Sequence, residues 1–566
     1  MKKNFQDGGE AIMEALRNLG VEYIMSSPGS EWSPVWEAMA RQTVEKNAGP
    51  QFLDCWHETV AVDMALGYTA YTGKPQAVLI HAGVGLMHGS MALVSASQQE
   101  IPMLVMSGEA TTFGDDPTQP VEPQFYGGVS VGGAHRFVDP IVKWATQVTS
   151  APTLYNTVVR SMELAQRVPQ GPVYVNVGLE CMLHEWKKPT DLPVIPPAPK
   201  TAPLPEDVET VAALLRAAKN PVIVVEGAGR DPAAFHALVE LAEGLGVPVI
   251  NGRASVYTNY PKSSPMWMGY SNFGHLDDSD LILLVSGKAP WYPPSNRPGK
   301  GKIVAISENP LKMHLAYQVL FADHYLEGDV ASALRLLARA AAPAAVDKER
   351  IAARRARWTG EHDKLIASLE AAARASLSAE KLDCIALAAV AAESFPKDII
   401  VCDETITHMP QMRAHLPLNE PQSFFRVTGG ALGQGIGAAL GAKLAARDRP
   451  VVLFIGDGSF LYNPIIQSLG ASKTYELPIT IVVCNNQKYE AMRKGHVLYY
   501  EGGVADTTKV HYGVNIKGPR YEHLGDEFGF FGATATNAAE LRQAFKDAFA
   551  ANKAGRTAIL NVSLIK

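Results

Sequence analysis

The stretch that most constrains this chain runs from Val451 to Tyr489, VVLFIGDGSFLYNPIIQSLGASKTYELPITIVVCNNQKY. Two apolar runs, VVLFI and ITIVVC, read as buried parallel strands joined by a helical segment. The first runs into Gly456-Asp457-Gly458-Ser459, whose glycines let backbone N–H groups approach a phosphate closely, and the second ends at Asn485-Asn486. Neighbouring strand ends would present a carboxylate and an amide oxygen to one small volume beside backbone donors. That chemistry suits a hard cation holding a diphosphate. A glycine turn followed by an Asn-Asn turn in an ordinary α/β sheet would carry the same letters.

One such unit cannot fill 566 residues, and at ~100–200 residues per domain the length asks for three or four. Strand-like runs alternate with helical ones through most of the chain, which predicts parallel sheets with functional groups at strand C-terminal ends. From about residue 8 to 187, the runs VEYIM, FLDCW, AVLIH and PMLVMSG make one α/β unit, with a glycine turn at Gly83-Val84-Gly85. Ser30, Glu58, His81 and Glu109 fall at or just after these strand ends. Residues 188–205 are proline-rich and read as an extended linker. Residues 206–340 form a second α/β domain, 341–377 an alanine- and arginine-rich helical connector, and 378–566 a third domain holding the opening motif. In the second domain, Gly227-Ala228-Gly229 follows a strand but has no third glycine, so it fits a tight turn as well as a nucleotide loop.

Charge and cysteine usage exclude several classes. A formal net charge of -6, spread along the chain, argues against a nucleic-acid surface. No apolar run reaches the ~18 residues of a membrane span, and the start MKKNFQDGGE has no apolar core of a signal peptide. Five scattered cysteines, Cys55, Cys181, Cys384, Cys402 and Cys484, read as buried reduced thiols, so the expected compartment is the cytoplasm.

The GDG…NN pair resembles the thiamine diphosphate motif of the 2-oxo-acid decarboxylase and acetolactate synthase superfamily. The 29 positions from Asp457 to Asn486 make the intervening segment slightly long for it. The resemblance implies α/β architecture with three doubly wound parallel-sheet domains, in the order pyrimidine-binding, central and diphosphate-binding. It implies Mg²⁺ held by Asp457, Asn486 and the Lys488 carbonyl, with Gly456, Gly458 and Ser459 around the diphosphate. Thr405, Thr407 and His408 would lie near that group.

Two further segments carry the likeness. In Cys55-Trp56-His57-Glu58-Thr59 followed by ALGYTA, Glu58 sits between an apolar strand and an apolar helix, where a bare helix-end carboxylate would also be stabilised. The HE…GY pattern resembles the family's activating glutamate, which bonds the pyrimidine N1′ and promotes the imino form of the cofactor. In Thr428-Gly429-Gly430-Ala431-Leu432-Gly433-Gln434-Gly435 the small residues suit either a planar ring or a helix–helix contact. By resemblance Leu432 is the apolar wedge under the thiazolium, and the Gly430 carbonyl accepts from the 4′-amino group.

His81 and Ser30 match the active-site histidine and serine of benzoylformate decarboxylase-like enzymes, although a lone strand-end histidine is often structural. The second histidine of those enzymes has no counterpart in the stretch Gly287 to Pro294, and Glu490 stands where a small residue is expected. Trp32, Trp291 and Tyr292 suit an aromatic pocket or a core equally. The implied activity is cleavage or formation of a C–C bond next to a carbonyl, foremost non-oxidative 2-oxo-acid decarboxylation with carboligase ability. Alternatives are an acetolactate synthase-like carboligase, a flavin-dependent 2-oxo-acid oxidase, and a diketone hydrolase or acyl-CoA lyase. A non-catalytic paralogue would be expected to lack Glu58. Lys288-Ala289-Pro290-Trp291 lacks the sequence type of FAD-binding relatives, so FAD is not expected. A small 2-oxo acid would be the substrate, and a homodimer sharing active sites, assembled into a homotetramer, the functional form. No nucleic acid or membrane partner is expected.

Overall fold

A computed structural model describes residues 6–110, 133–271, 273–291, 293–315, 318, 320–342, 347–427 and 432–565. Among them are three six-stranded sheets, each wholly parallel and flanked by helices. The first contains β1 (Tyr23–Ser27), β2 (Gln51–Asp54), β3 (Ala77–Ile80), β4 (Met103–Glu109), β5 (Trp144–Val148) and β6 (Pro172–Gly178), in the order β2-β1-β3-β4-β6-β5. Val78, Leu79, Ile80 and Leu104 to Met106 are buried on both faces, as continuous apolar runs in a covered parallel sheet must be.

The second sheet contains β7 (Pro221–Val225), β8 (Val249–Asn251), β9 (Trp267–Tyr270), β10 (Leu281–Val285), β11 (Lys302–Ser307) and β12 (His324–Glu327). Its order, β12-β11-β10-β7-β8-β9, is that of a dinucleotide-binding sheet. The third contains β13 (Ile400–Glu404), β14 (Phe424–Arg426), β15 (Val451–Gly456), β16 (Thr480–Asn485), β17 (Phe531–Ala535) and β18 (Ala558–Ser563), in the order β14-β13-β15-β16-β18-β17. The first and third sheets therefore share one strand order. Val452, Phe454 and Val482 are fully buried in the third core, and each such side chain contributes about 1.5–3 kcal/mol.

The chain divides into two compact units. One comprises Met1–Pro199, Thr428–Arg447 and Tyr462–Leu477, and holds the first sheet; the other comprises Lys200–Val427, Asp448–Leu461 and Pro478–Lys566, and holds the second and third. The first unit thus takes two segments from the C-terminal part of the sequence. Glycines explain one of them. A Cβ on Gly67 would lie 2.0 Å from the Ala438 carbonyl oxygen, and one on Gly441 would lie 2.1 Å from that of Met64. The Glu58–Thr72 and Gly435–Ala445 helices therefore touch backbone to backbone. Gly67, which fits the cofactor pattern in sequence, serves this contact.

Helical structure replaces the expected turn at Gly83-Val84-Gly85, which opens the Ala82–Gln98 helix. The segment from Lys187 to Leu204 has no helix or strand, and the connector contains a Lys348–Leu377 helix of 30 residues. The longer Asp457-to-Asn486 segment holds two helices, Asp457–Tyr462 and Ile465–Thr474. All five cysteines are buried and unpaired, and burial pushes the Cys55 thiol up to about 12. No helix among the described residues is long and apolar enough to cross a membrane.

Candidate active site

In the first unit, four adjacent strands, β2-β1-β3-β4, bring their C-terminal ends side by side. Glu58 follows β2 as the first residue of its helix, where His57 Nδ1 accepts the Thr59 N–H at 3.1 Å. The Glu58 side chain is only 12% exposed, and its Oε2 lies 3.2 Å from His88 Nδ1. A Cβ on Gly85 would come within 2.8 Å of Glu58 Oε1 and 3.1 Å of His81 Cβ. The same glycine therefore packs against both side chains, which sequence alone could not join. His57 stacks on His88 at 5.2 Å between ring centroids. Burial lowers the His57 pKa, Glu58 opposes this and His88 adds to it. His57, Glu58 and His88 bring ligating atoms within 4.8 Å of one another, but His57 Nδ1 is committed as the helix cap.

His81 follows β3 directly, and Ser30 opens the short turn Ser30–Trp32 after β1. Ser30 is exposed, and its carbonyl accepts the Ser33 hydroxyl at 2.6 Å. The residue between Ser30 and Trp32 was invisible to motif reasoning. Glu31 is fully buried, and both its carboxylate oxygens lie 3.0 Å from His81 Nδ1. Its sequence signal was modest: an acid immediately after a strand-end turn, as Glu58 is. Trp32 packs in the core, with its indole N–H donating to the Ile80 carbonyl. Trp291 is buried in the second core, and Tyr292 lies outside the described residues.

In the second unit, β13, β15 and β16 are neighbours, and Gly456 pairs with Cys484 in register. The strand ends therefore bring together Thr405 to His408, Gly456 to Ser459, and Asn486. Asp457 is 2% exposed. Its Oδ1 accepts the Gly458 N–H at 2.9 Å, and its Oδ2 the Gln487 N–H at 2.6 Å. Gln487 adopts a φ of 57°, a left-handed conformation that a glutamine rarely takes, as this N–H bonds Asp457. Asn486 Oδ1 accepts the Lys488 N–H at 3.0 Å and keeps a second lone pair, while Asn486 Nδ2 lies 3.4 Å from His408 Nε2.

These residues fit a bound cation. A buried carboxylate is costly unless a positive charge accompanies it, yet the groups that favour the charged form of Asp457 are backbone N–H donors. Burial accordingly pushes its carboxyl up to about 6, against those hydrogen bonds. A Cβ on Gly458 would lie 2.3 Å from the Tyr489 ring, so a larger residue there would displace the turn that carries Asn486 and Lys488.

Thr405 is buried, and both its hydroxyl and its N–H donate to Asp403. Thr407 and His408 are half-buried, and burial lowers the His408 pKa, with Lys494 adding to the effect. Glu490 forms a close ion pair with Arg493 at 2.5 Å, which holds its carboxyl below the usual range. Leu432 is half-buried, and Gly430 lies outside the described residues.

Comparison with known proteins gives a consistent result. Three models describe a thiamine pyrophosphate enzyme: its N-terminal TPP binding domain matches residues 6–124, its central domain 208–337, and its C-terminal TPP binding domain 407–562. The chain is 25% identical to benzoylformate decarboxylase from Pseudomonas aeruginosa, over 96% of each protein. It is 24% identical to the acetolactate synthase large subunit of Haemophilus influenzae, over 96% of this chain and 92% of that one. Its fold is similar to the crystal structure of benzoylformate decarboxylase from Polynucleobacter necessarius, with a TM-score of 0.79, 21% identity and 99% of each chain covered.

Proposed function

The chain belongs to the thiamine pyrophosphate enzymes of the 2-oxo-acid decarboxylase and acetolactate synthase superfamily, and from that premise we propose that it catalyses non-oxidative decarboxylation of a 2-oxo acid, with carboligase ability. The observation that carries this reading is the placement of His81 and Glu58 against the same glycine. An acid–base side chain beside the cofactor-activating carboxylate suits a reaction that ends by protonating carbon: R–CO–COO⁻ + H⁺ gives R–CHO + CO₂. The cofactor, when bound, supplies a carbon that stabilises the carbanion left by CO₂. Glu58 would hold the pyrimidine ring and keep a proton at its nitrogen, and His81 would move the proton at the substrate carbon. Asp457, Asn486 and the Lys488 carbonyl would hold Mg²⁺, with Gly456, Gly458, Ser459, Thr405, Thr407 and His408 around the diphosphate. Leu432 and Gly430 would face the thiazolium and the 4′-amino group, and Ser30 the substrate.

The central domain supports a reading without flavin. Its sheet order suits a dinucleotide, but the Glu226 carboxylate after β7 already accepts the N–H groups of Ala254, Lys288 and Ala289 at 2.6–3.0 Å. A Cβ on Gly229 would meet the Thr258 carbonyl oxygen at 1.9 Å, and the Gly229 N–H donates to Asn259. These N–H groups are therefore taken by protein. The domain limits 1–187, 206–340 and 378–566, the cytoplasmic location and the tetramer form part of the same proposal.

The test of the reaction is the product formed from pyruvate, branched-chain and aryl 2-oxo acids by protein loaded with thiamine diphosphate and Mg²⁺. An aldehyde, or an acyloin when an acceptor aldehyde is added, is expected. A 2-hydroxy-3-oxo acid, formed from two 2-oxo acids with loss of one CO₂, would instead assign the synthase alternative.

A shared dimeric site makes a separate prediction. Glu58→Gln and Asp457→Ala should each be inactive. A purified mixed dimer should regain about half of wild-type activity, since two-fold symmetry leaves one of its two sites intact. Mixed dimers as inactive as either parent, with both chains folded, would refute site sharing.

A further inference from the structure

The buried acid behind His81 has no assigned task. Glu31 is sealed from solvent, and its carboxylate faces His81 Nδ1 with both oxygens while the side chain of His81 remains 25% exposed. Oε1 also accepts the N–H of Ala82, the first amide of the Ala82–Gln98 helix, at 2.9 Å. The carboxylate therefore lies at the positive end of a helix dipole. Two glycines make room for it. A Cβ on Gly108, in β4, would lie 2.1 Å from Glu31 Cγ. One on Gly29, after β1, would lie 1.9 Å from His81 Nδ1 and 2.3 Å from Glu31 Oε2. Two strand ends are thus shaped around the Glu31–His81 pair, and a third supplies the histidine.

We propose that Glu31 is a positioning residue, which holds the proton on His81 Nδ1 so that all proton transfer at this histidine runs through Nε2. The proposal rests on the decarboxylase reading for its chemistry. An ionised carboxylate can only accept hydrogen bonds, so the imidazole nitrogen facing it must carry a hydrogen. The other nitrogen alternates between protonated and free. In turnover the bond to the departing CO₂ breaks, the electron pair stays on the substrate carbon, and His81 Nε2–H delivers the proton that forms the new C–H bond. Solvent reloads Nε2 through the exposed part of the ring, and the Glu31 carboxylate stays against Nδ1 throughout. Glu58 lies across Gly85 from His81 and, on the proposed reading, serves the cofactor, so the two carboxylates have separate tasks.

The test uses the full-length, cofactor-loaded enzyme and the variant Glu31→Gln, which keeps the volume of the side chain. Its amide oxygen can accept the Ala82 N–H only while its NH₂ faces His81 Nδ1, which favours the opposite tautomer. Nitrogen-15 NMR of labelled imidazoles, assigned with His81→Asn, should show Nδ1–H in the wild type and Nε2–H in Glu31→Gln. Turnover should fall about 10- to 100-fold, within or just below the usual range for loss of acid–base catalysis, while proton exchange at the cofactor C2 is unchanged. The double variant Glu31→Gln/His81→Asn should be no slower than His81→Asn alone, because Glu31 acts through His81. An unchanged His81 tautomer in Glu31→Gln overturns the proposal whatever the activity, and so does a double variant that loses the product of the two single effects. Absence of decarboxylation by the wild type would refute the decarboxylase reading instead, and the tautomer measurement would still decide the role of Glu31.

Discussion

Glu58→Gln slows exchange of the cofactor C2 proton by about 10²–10⁴-fold, the usual range for loss of an acid–base group, and leaves thiamine diphosphate bound. The substitution is nearly isosteric, so the close approach of Gly85 and the helix cap from His57 are kept. What is lost is the carboxylate: an amide cannot hold and release a proton at the pyrimidine nitrogen. His88 does not replace it. Its ring is mostly exposed, and its Nδ1 meets the same Oε2 that the variant removes. Exchange is read by proton NMR after acid quench from deuterated buffer. A rate equal to wild type would reduce Glu58 to a helix-end carboxylate.

On the proposed site, Asp457→Ala removes the cofactor's anchor, so thiamine diphosphate should not survive gel filtration in Mg²⁺. The change deletes a hard-cation ligand and leaves the N–H groups of Gly458 and Gln487 without their acceptor. Wild-type cofactor content in this variant would sink the metal assignment. The wild type carries a related pH dependence. With its carboxyl raised to about 6 by burial, Asp457 favours the empty fold in its protonated form, below the unfolded value, and loses that contribution as pH rises through 6. A cation requires the ionised form, so Mg²⁺-dependent cofactor retention should be full well above pH 6 and weaken as pH falls through it.

Much of this architecture is legible in the sequence because parallel strands buried on both faces leave continuous apolar runs. VVLFI and ITIVVC are such runs, and Asp457 and Asn486 stand where those strands stop. Glu58 and His81 were legible as strand-end residues by the same rule. Glu31 was not, because what buries it is Gly108 at the end of a distant strand, and a glycine's reason for being one is not written beside it. The Gly83-Val84-Gly85 run posed the same difficulty. It lies in a helix, and Gly85 lacks a side chain because Glu58 and His81 lie against it. Gly67 is a glycine because its helix meets the Ala438 backbone. Nor does linear order reveal that Thr428–Arg447 and Tyr462–Leu477 cluster with the first unit, since packing of glycine faces links residues far apart in sequence. The loop after β7 was ambiguous as letters; in the fold its Gly229 N–H donates to Asn259, and the neighbouring Glu226 accepts the N–H groups of Ala254, Lys288 and Ala289.

The most direct measurement of the central claim is CO₂ released from a panel of 2-oxo acids by the wild-type protein, with and without thiamine diphosphate and Mg²⁺, alongside oxygen uptake. The account predicts cofactor-dependent release of one CO₂ per aldehyde formed with no oxygen consumed. Release accompanied by oxygen uptake and a carboxylic acid product, or no release from any 2-oxo acid by fully loaded protein, would contradict it.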